Sequence, residues 1–162
     1  MTSFIDGFFQ LMGTHQATDD PPTSAKSYLQ VFDSCAPLGS LGNGVFVPCE
    51  IRLFPKGQEV EGAVIFAHGR FSVVSPNDGN ELFLQVEAHD FVIMKMDIDP
   101  TSDDIPDDLC ASLTLLGRVV PTAPEPAPTQ DKFFTLEVSD YIRDHTQTFR
   151  IRCAQPSLAL NI

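Results

Sequence analysis

The chain has no tryptophan, two tyrosines and ten lysines and arginines among its 162 residues. Those ten cations stand against 22 aspartates and glutamates, so the formal net charge is -12 at pH 7. A surface of this charge opposes diffuse, charge-driven binding to nucleic acid or to an anionic membrane. No apolar run reaches the roughly 18 residues that a membrane-spanning helix needs. The composition therefore excludes a basic nucleic-acid-coating protein and predicts no membrane partner.

Cysteine is scarce and badly spaced for metal binding. Cys35, Cys49, Cys110 and Cys153 form no Cys-x-x-Cys pair, and no histidine lies at zinc-finger spacing. The first twelve residues lack the positive start of a secretory signal, because Asp6 is their only charge. We expect reduced thiols in an intracellular protein, nuclear or cytoplasmic. Two disulfides in a secreted chain are the alternative.

Catalytic motifs are also missing. The chain contains no phosphate-binding loop, no dinucleotide-binding glycine motif and no nucleophile elbow. Residues 97–101 spell Asp-x-Asp-x-Thr, as at the start of some phosphatases, but the sequence after them is β-like and lacks the α/β context. Residues 97–108 fit a calcium-binding loop only without the glycine of its sharp turn. We predict that the protein is not an enzyme and has no cofactor or metal.

What the chain does contain changes in character near residue 45. Residues 1–44 combine a short apolar piece with clusters of Pro, Gly, Ser and Asp, which interrupt regular structure. Ser3 is placed to cap a short helix in the apolar piece. This helix could pack on the rest of the chain or dock into the groove of a protein partner. Its predicted protein-interaction face consists of Phe4, Phe8, Leu11 and Met12.

Alternation with a period of two dominates from Val45 onward. Apolar residues at every second position up to Leu53 predict a strand with one buried face. Further strand-like stretches, separated by turn-forming sequence, cover residues 62–75, 81–98, 110–122, 132–144 and 147–154. We predict an all-β domain over residues 45–162. It would be a small five- to six-stranded barrel, preceded by the irregular or short-helical segment 1–44.

The last three stretches resemble the first strands of the oligonucleotide/oligosaccharide-binding (OB) fold. They contain Leu-Leu-Gly-Arg-Val-Val, then Phe-Thr-Leu-Glu-Val-Ser-Asp-Tyr, then Phe-Arg-Ile-Arg-Cys. A glycine within the first strand lets a long strand bend around a barrel. The resemblance implies a non-enzymatic binding module, either for single-stranded nucleic acid or as an assembly subunit of a complex that handles nucleic acid.

Side-chain alternation assigns a nucleic-acid-binding face to the same segment. Two aromatic residues of the second stretch and two arginines of the third point away from the core, and antiparallel pairing brings them together. Rings that stack on bases and guanidinium groups that hold phosphate make a single-strand binding platform. An ordinary solvated face, with the arginines paired to Glu137, is the alternative. The predicted nucleic-acid-binding residues are Phe133, Tyr141, Arg150, Arg152 and Arg118.

A second hypothesis is a small-ligand or metal-binding β-barrel, with or without enzyme activity. His68 and His89 would come together across a hairpin that turns at residues 77–79. Glu87 or Asp90 would complete a zinc or iron site. The apolar residues near both ends of the chain predict a protein partner or a homo-oligomer.

Overall fold

In the computed structural model, the chain is all β. The structure describes residues 2–15, 29–38, 45–74, 82–95, 111–121 and 132–155. No helix suited to crossing a membrane is found in these ranges. Their ten strands are β1 (Thr2–Gln10), β2 (Met12–His15), β3 (Gln30–Leu38), β4 (Val45–Leu53), β5 (Val64–Val74), β6 (Phe83–Lys95), β7 (Ser112–Leu116), β8 (Arg118–Val120), β9 (Lys132–Ile142) and β10 (His145–Gln155).

The N-terminal apolar piece is a strand, so the predicted short helix is wrong. Burial in β1 alternates at every residue, as in a strand with one face in the core. Phe4 and Phe8, four positions apart, share a face in a helix but also in a strand, so their spacing does not separate the two. Aromatic residues favour a strand, and the internal glycine disfavours a helix. The buried residues are Ser3, Ile5, Gly7 and Phe9.

The strands predicted from residue 45 onward are confirmed. β4 occupies Val45–Leu53, and β5 to β10 coincide with the five later stretches, with β7 and β8 sharing one of them. The strands β1, β2 and β3 arise from the predicted N-terminal segment 1–44, and they pair in the same sheet as β4, β5 and β6. The all-β class is therefore confirmed, with strands on both sides of residue 44.

Two sheets contain all ten strands. Seven strands have the order β2-β3-β4-β6-β5-β1-β7, and three have the order β10-β9-β8. Among the described pairs, β4 and β6 run parallel and the others antiparallel. Leu11 alone separates β1 from β2, yet β1 pairs with β5 and β2 pairs with β3. The first fourteen described residues thus connect distant positions in the sheet order.

The core is continuous between the two sheets. Ile51 and Phe71 of the first sheet belong to the same buried cluster as Val138 and Phe149 of the second. The rings of Phe71 and Phe149 lie 5.7 Å apart between centroids. Full burial of such a side chain contributes about 1.5–3 kcal/mol. The second sheet is therefore held on the first by shared apolar packing.

Gly117 allows one stretch of chain to serve both sheets. It lies between β7, which pairs with β1, and β8, which pairs with β9. A Cβ atom at this position would collide with the carbonyl oxygen of Glu137. Only glycine permits this close approach of two backbones.

Candidate binding face of the three-stranded sheet

The outer face of the second sheet brings side chains from all three strands into one row. Glu137 on β9 has Arg118 on β8 and Arg150 on β10 as its register partners. Directly opposite residues in antiparallel strands share a face, so the three side chains form a row across the sheet. Arg152 lies on the same face, opposite Thr135. We call this surface the arginine face, defined by Arg118, Phe133, Glu137, Arg150 and Arg152.

Glu137 orients the two arginines beside it. Its carboxylate accepts hydrogen bonds from Arg150 Nε at 2.9 Å and Nη2 at 2.8 Å, and from Arg118 Nη2 at 2.7 Å. These hydrogen bonds, first those from Arg150 and then that from Arg118, hold the pKa of Glu137 below its usual range. Both arginine side chains remain about two-thirds exposed, at 67% and 66%. They are therefore fixed in direction and still accessible to a ligand.

Arg152 stacks on Phe133 at one end of the face. The guanidinium carbon lies 4.0 Å from the ring centroid, which is a cation–π contact worth about 0.5–1 kcal/mol at an exposed site. Together with Arg118, Arg150 and Glu137, this arginine gives the face a net charge of two positive units. The rest of the chain is strongly acidic, because the total is -12.

Tyr141 lies on the same strand as Phe133 and Glu137 but away from the arginine row. It is 55% exposed and is opposite Thr146 in the register. It lies four positions from Glu137, roughly 13 Å along the strand, on the side away from Arg152. Phe133 is equally far from Glu137, but it lies on the side of Arg152, which stacks on it. The structure therefore brings four of the five predicted nucleic-acid-binding residues together and leaves Tyr141 at the far end of β9.

A surface depression borders the arginine face where β10 passes β5. Its lining combines polar groups of the face with apolar side chains of the core. A planar ring of a ligand could insert into such a depression and lie against its apolar lining, with a charged side chain close by. The lining residues are Val73, Glu137, Thr148, Phe149 and Arg150.

The turn between β9 and β10 docks on the outside of β4 and β6. Arg143 and Asp144 form a two-residue turn with φ of 51° and 68°, the left-handed conformation of a type I′ hairpin. The Arg143 amide donates to Glu87 Oε2 at 3.1 Å, and its Nη1 donates to Glu50 Oε2 at 2.6 Å. Arg52 also donates to Glu87, at 3.0 Å. This buried network fixes the orientation of the second sheet.

Asp140 forms a second link between the sheets. Its Oδ2 accepts the Ser3 amide at 2.9 Å and the Ser3 hydroxyl at 3.1 Å, while Oδ1 accepts the Tyr141 amide at 2.8 Å. Arg70 Nη1 lies 3.6 Å from Oδ1. Burial acts to raise the pKa of Asp140, but the hydrogen bonds and the Arg70 charge outweigh it and lower the pKa. Sequence reasoning missed this residue, because its partner lies 137 positions away.

Acid is expected to destabilise the protein through Asp140 and Glu87. Burial alone would raise the pKa of Glu87, but the Arg143 amide and the Arg52 charge lower it overall, and the pKa of Asp140 is also lowered. A carboxyl group with a lowered pKa in the folded state stabilises folding above its unfolded value of about 4. That stabilisation is lost as the pH falls through the folded value.

The measurement is the urea midpoint of unfolding between pH 7 and pH 3. We expect the midpoint to fall below about pH 5, and Glu87→Gln to start lower and fall less. A midpoint that stays constant or rises on acidification would contradict the pKa directions. The same conclusion would follow if the urea midpoint of Glu87→Gln fell with pH as steeply as that of the parent protein.

The four residues of the predicted N-terminal interaction face do not form one surface. Phe4 and Phe8 lie on the outer face of the first sheet, where the ring of Phe4 stacks on His68 at 5.1 Å. Phe8 meets Phe66 edge-on at 5.1 Å. Leu11 is completely buried in the core, whereas Met12 is 40% exposed. The helical stripe was wrong because the segment has the geometry of a strand.

The hypothetical metal site is not assembled. His68 Nδ1 lies 2.6 Å from Asp6 Oδ1, and Glu87 is bonded to Arg52 and to the hairpin turn. Among the residues that the structure describes, no three His, Cys, Asp or Glu side chains are grouped to hold a metal ion. Burial raises the pKa of the Cys49 thiol to about 12, so it stays protonated. The acidic run at 97–108 lies outside the described residues.

Comparisons with known proteins do not supply a family. The chain matches no protein-family model and no curated protein sequence. Its function is therefore argued from the residues of the arginine face and from the strand arrangement.

Proposed function

We propose that the chain is a non-enzymatic binding module of OB-like architecture. The strand order supports this architecture. The continuous segment 2–15 pairs with β5 through its first half and with β3 through its second, and β3, β4, β6 and β5 complete a circuit of five strands. A five-stranded Greek-key barrel is the pattern of the OB fold. The circuit lies in residues 2–95, ahead of the segment whose sequence resembles that fold.

The ligand that the geometry supports best is single-stranded nucleic acid on the arginine face. The observation that carries this proposal is the stack of Arg152 on Phe133, beside the two arginines that Glu137 orients. Bases stack on rings and on guanidinium planes, and the remaining guanidinium donors hold phosphates. The remaining surface of the protein is acidic, so it repels the nucleic acid and confines it to the arginine face.

The chemistry of the face sets the salt dependence. Three arginines that each neutralise one phosphate release about two counterions from a single strand, at about 0.7 per phosphate, which gives a slope of about -2 in a plot of log affinity against log salt concentration. Glu137 keeps Arg118 and Arg150 in place but lowers the net charge of the face. We therefore expect affinity in the micromolar range rather than the tight binding of a basic protein.

Fluorescence anisotropy with a labelled, mixed-sequence single-stranded DNA tests the proposal. We expect saturable binding at low salt, weaker binding to duplex, and at least about a tenfold loss in the double variant Arg150→Ala/Arg152→Ala. Both arginine side chains are exposed, so the variant should keep its melting temperature within a few degrees. Lys56→Gln removes one charge from an exposed loop and is the matched control, with little expected change.

Two results would overturn this function. One is no binding to single strands at low salt. The other is binding whose loss of free energy in the arginine double variant is only about twice that in the lysine control, because the loss would then follow the number of charges removed. Free thiols at Cys35, Cys49 and Cys153 support the further proposal of a nuclear or cytoplasmic location.

A further inference from the structure

The two sheets contain one three-strand arrangement twice. In the first copy the leading strand is β1 with β2, followed by β3 and β4. In the second it is β7 with β8, followed by β9 and β10. Before its break the leading strand pairs outside its own copy, β1 with β5 and β7, and β7 with β1. After the break it pairs with the central strand of its copy, β2 with β3 and β8 with β9. The first three residues that lie opposite one another across the three strands after the break are equivalent in the two copies. They are Met12, Asp33 and Glu50 in the first copy, and Arg118, Glu137 and Arg150 in the second.

The copies differ at the strand that follows. β4 has β6 as its parallel neighbour, whereas the far edge of β10 has no neighbour among the described strands. Inward residues that are fully buried in the first copy are only half-buried in the second. Val119, also in the second copy, is 64% exposed. The equivalent pairs are Phe32 and Leu136, Ile51 and Ile151, and Leu53 and Cys153.

The first copy shows which kind of strand completes the arrangement. On β6, Leu84 and Val86 point into the core and are almost completely buried. The side chains that alternate with them along β6 point outward. One of these is Glu87, the register partner of Arg52, and the two form an ion pair at 3.0 Å. Arg152 occupies the place of Arg52 in the second copy. A strand that completes the second copy therefore needs a carboxylate opposite Arg152 and large apolar residues at the neighbouring inward positions.

The residues that directly follow β10 do not have this chemistry. Residues 156–162 contain no aspartate or glutamate. A parallel neighbour also requires a crossover connection of about a dozen or more residues before the strand itself. Residues 156–162 directly follow β10, so they do not themselves form the parallel neighbour.

We propose that β10 binds an extended segment of a partner protein by parallel strand addition. The segment carries a carboxylate opposite Arg152 and places two large apolar side chains beside Phe149 and Ile151, the counterparts of Cys49 and Ile51. Main-chain hydrogen bonds along the β10 edge that has no neighbour among the described strands provide affinity, and the inward and outward side chains provide specificity. The segment lies beside β10 in the plane of the sheet, on the edge opposite Arg118. The main-chain edge of β10 is not part of the arginine face, but Arg152 belongs to both proposed sites.

A peptide with the sequence of residues 82–90 of this chain is the probe, because it contains the strand that completes the first copy. Its binding to the full chain is measured by fluorescence anisotropy of a labelled peptide. We expect saturable binding and at least a fivefold loss in Arg152→Glu, since a like-charge pair replaces an opposite one. A peptide with Glu87→Lys should recover the affinity for Arg152→Glu. Hydrogen exchange should slow in β10 on binding and stay unchanged in β8.

Arg118→Glu is the matched control, since it reverses an exposed arginine on the same face but at the other edge. It should leave peptide binding unchanged while it weakens nucleic-acid binding, so the two proposals can fail separately. The proposal is overturned if the peptide does not saturate or if the charge exchange does not restore affinity. Equal weakening by Arg118→Glu would also overturn it, because binding would then follow net charge and not the β10 edge.

Discussion

Asp140→Ala is expected to lower the free energy of unfolding by about 3 kcal/mol. Asp140 is 7% exposed, and its carboxylate accepts the amide and hydroxyl of Ser3 together with the Tyr141 amide. Without it, the buried Ser3 amide and the Tyr141 amide lose this acceptor, and Arg70 loses its nearby negative charge; the Ser3 hydroxyl still donates to the Phe71 carbonyl oxygen, at 2.6 Å. Urea unfolding of the variant and the parent at pH 7 measures the difference.

Asp90→Ala is the matched control for this substitution. Asp90 also accepts the amide of the next residue, at 3.0 Å, but it is exposed and makes no hydrogen bond to the described part of the second sheet. We expect a change within about 0.5 kcal/mol. Asp140→Asn keeps the shape and one acceptor oxygen and should lie between the two. If Asp140→Ala were as mild as Asp90→Ala, the link through Ser3 would not hold the sheets together.

Gly69→Ala is expected to be the other severe substitution, with a loss of about 3 kcal/mol in unfolding free energy. A Cβ atom here would collide with the carbonyl oxygen of Glu87 and lie 2.8 Å from Cα of Ala88. Both obstacles are backbone atoms of β6, at the register shift between β5 and β6. The methyl group therefore forces the two strands apart. Thermal unfolding followed by circular dichroism measures the loss.

Gly13→Ala separates this collision from a general cost of removing glycine. Gly13 has a φ of 46°, and no atom of the described residues lies within 4 Å of the point that an added methyl group would occupy. Only the left-handed conformation is strained there, so we expect a loss of about 1 kcal/mol. Equal losses in Gly69→Ala and Gly13→Ala would contradict the close approach of β5 and β6.

The strands from residue 45 onward were predictable because their signals are local. β4 alternates apolar and polar residues, and most of its apolar set lies in the core; Val45, at the start, is exposed. The N-terminal strand was not predictable by spacing alone, since residues four apart share a face in both helix and strand. Its pairing with β5 and β7 depends on residues more than 50 positions away, which no local pattern reports.

The arginine face was partly predictable for the same reason. Hairpin register is a short-range property, so alternation alone brought Phe133 and Arg152 to one side of β9 and β10. The docking of the hairpin turn was not predictable. Arg143 and Asp144 adopt left-handed conformations without the Asn-Gly sequence that usually marks such a turn. Their conformation depends on Glu50 and Glu87, which lie far away in the chain.

The position of β1 between β5 and β7 has a consequence for how the protein folds. β1 is synthesised before β5 and β7, but its Ile5 pairs with Gly69 and with Leu113 of those strands. Its hydrogen-bond partners therefore emerge late, and such long sequence separations give folding times of milliseconds to seconds. Until then Ile5 and Phe9 have no completed core to enter. Nascent chains of this protein are expected to need protection from aggregation until the seventh strand has left the ribosome.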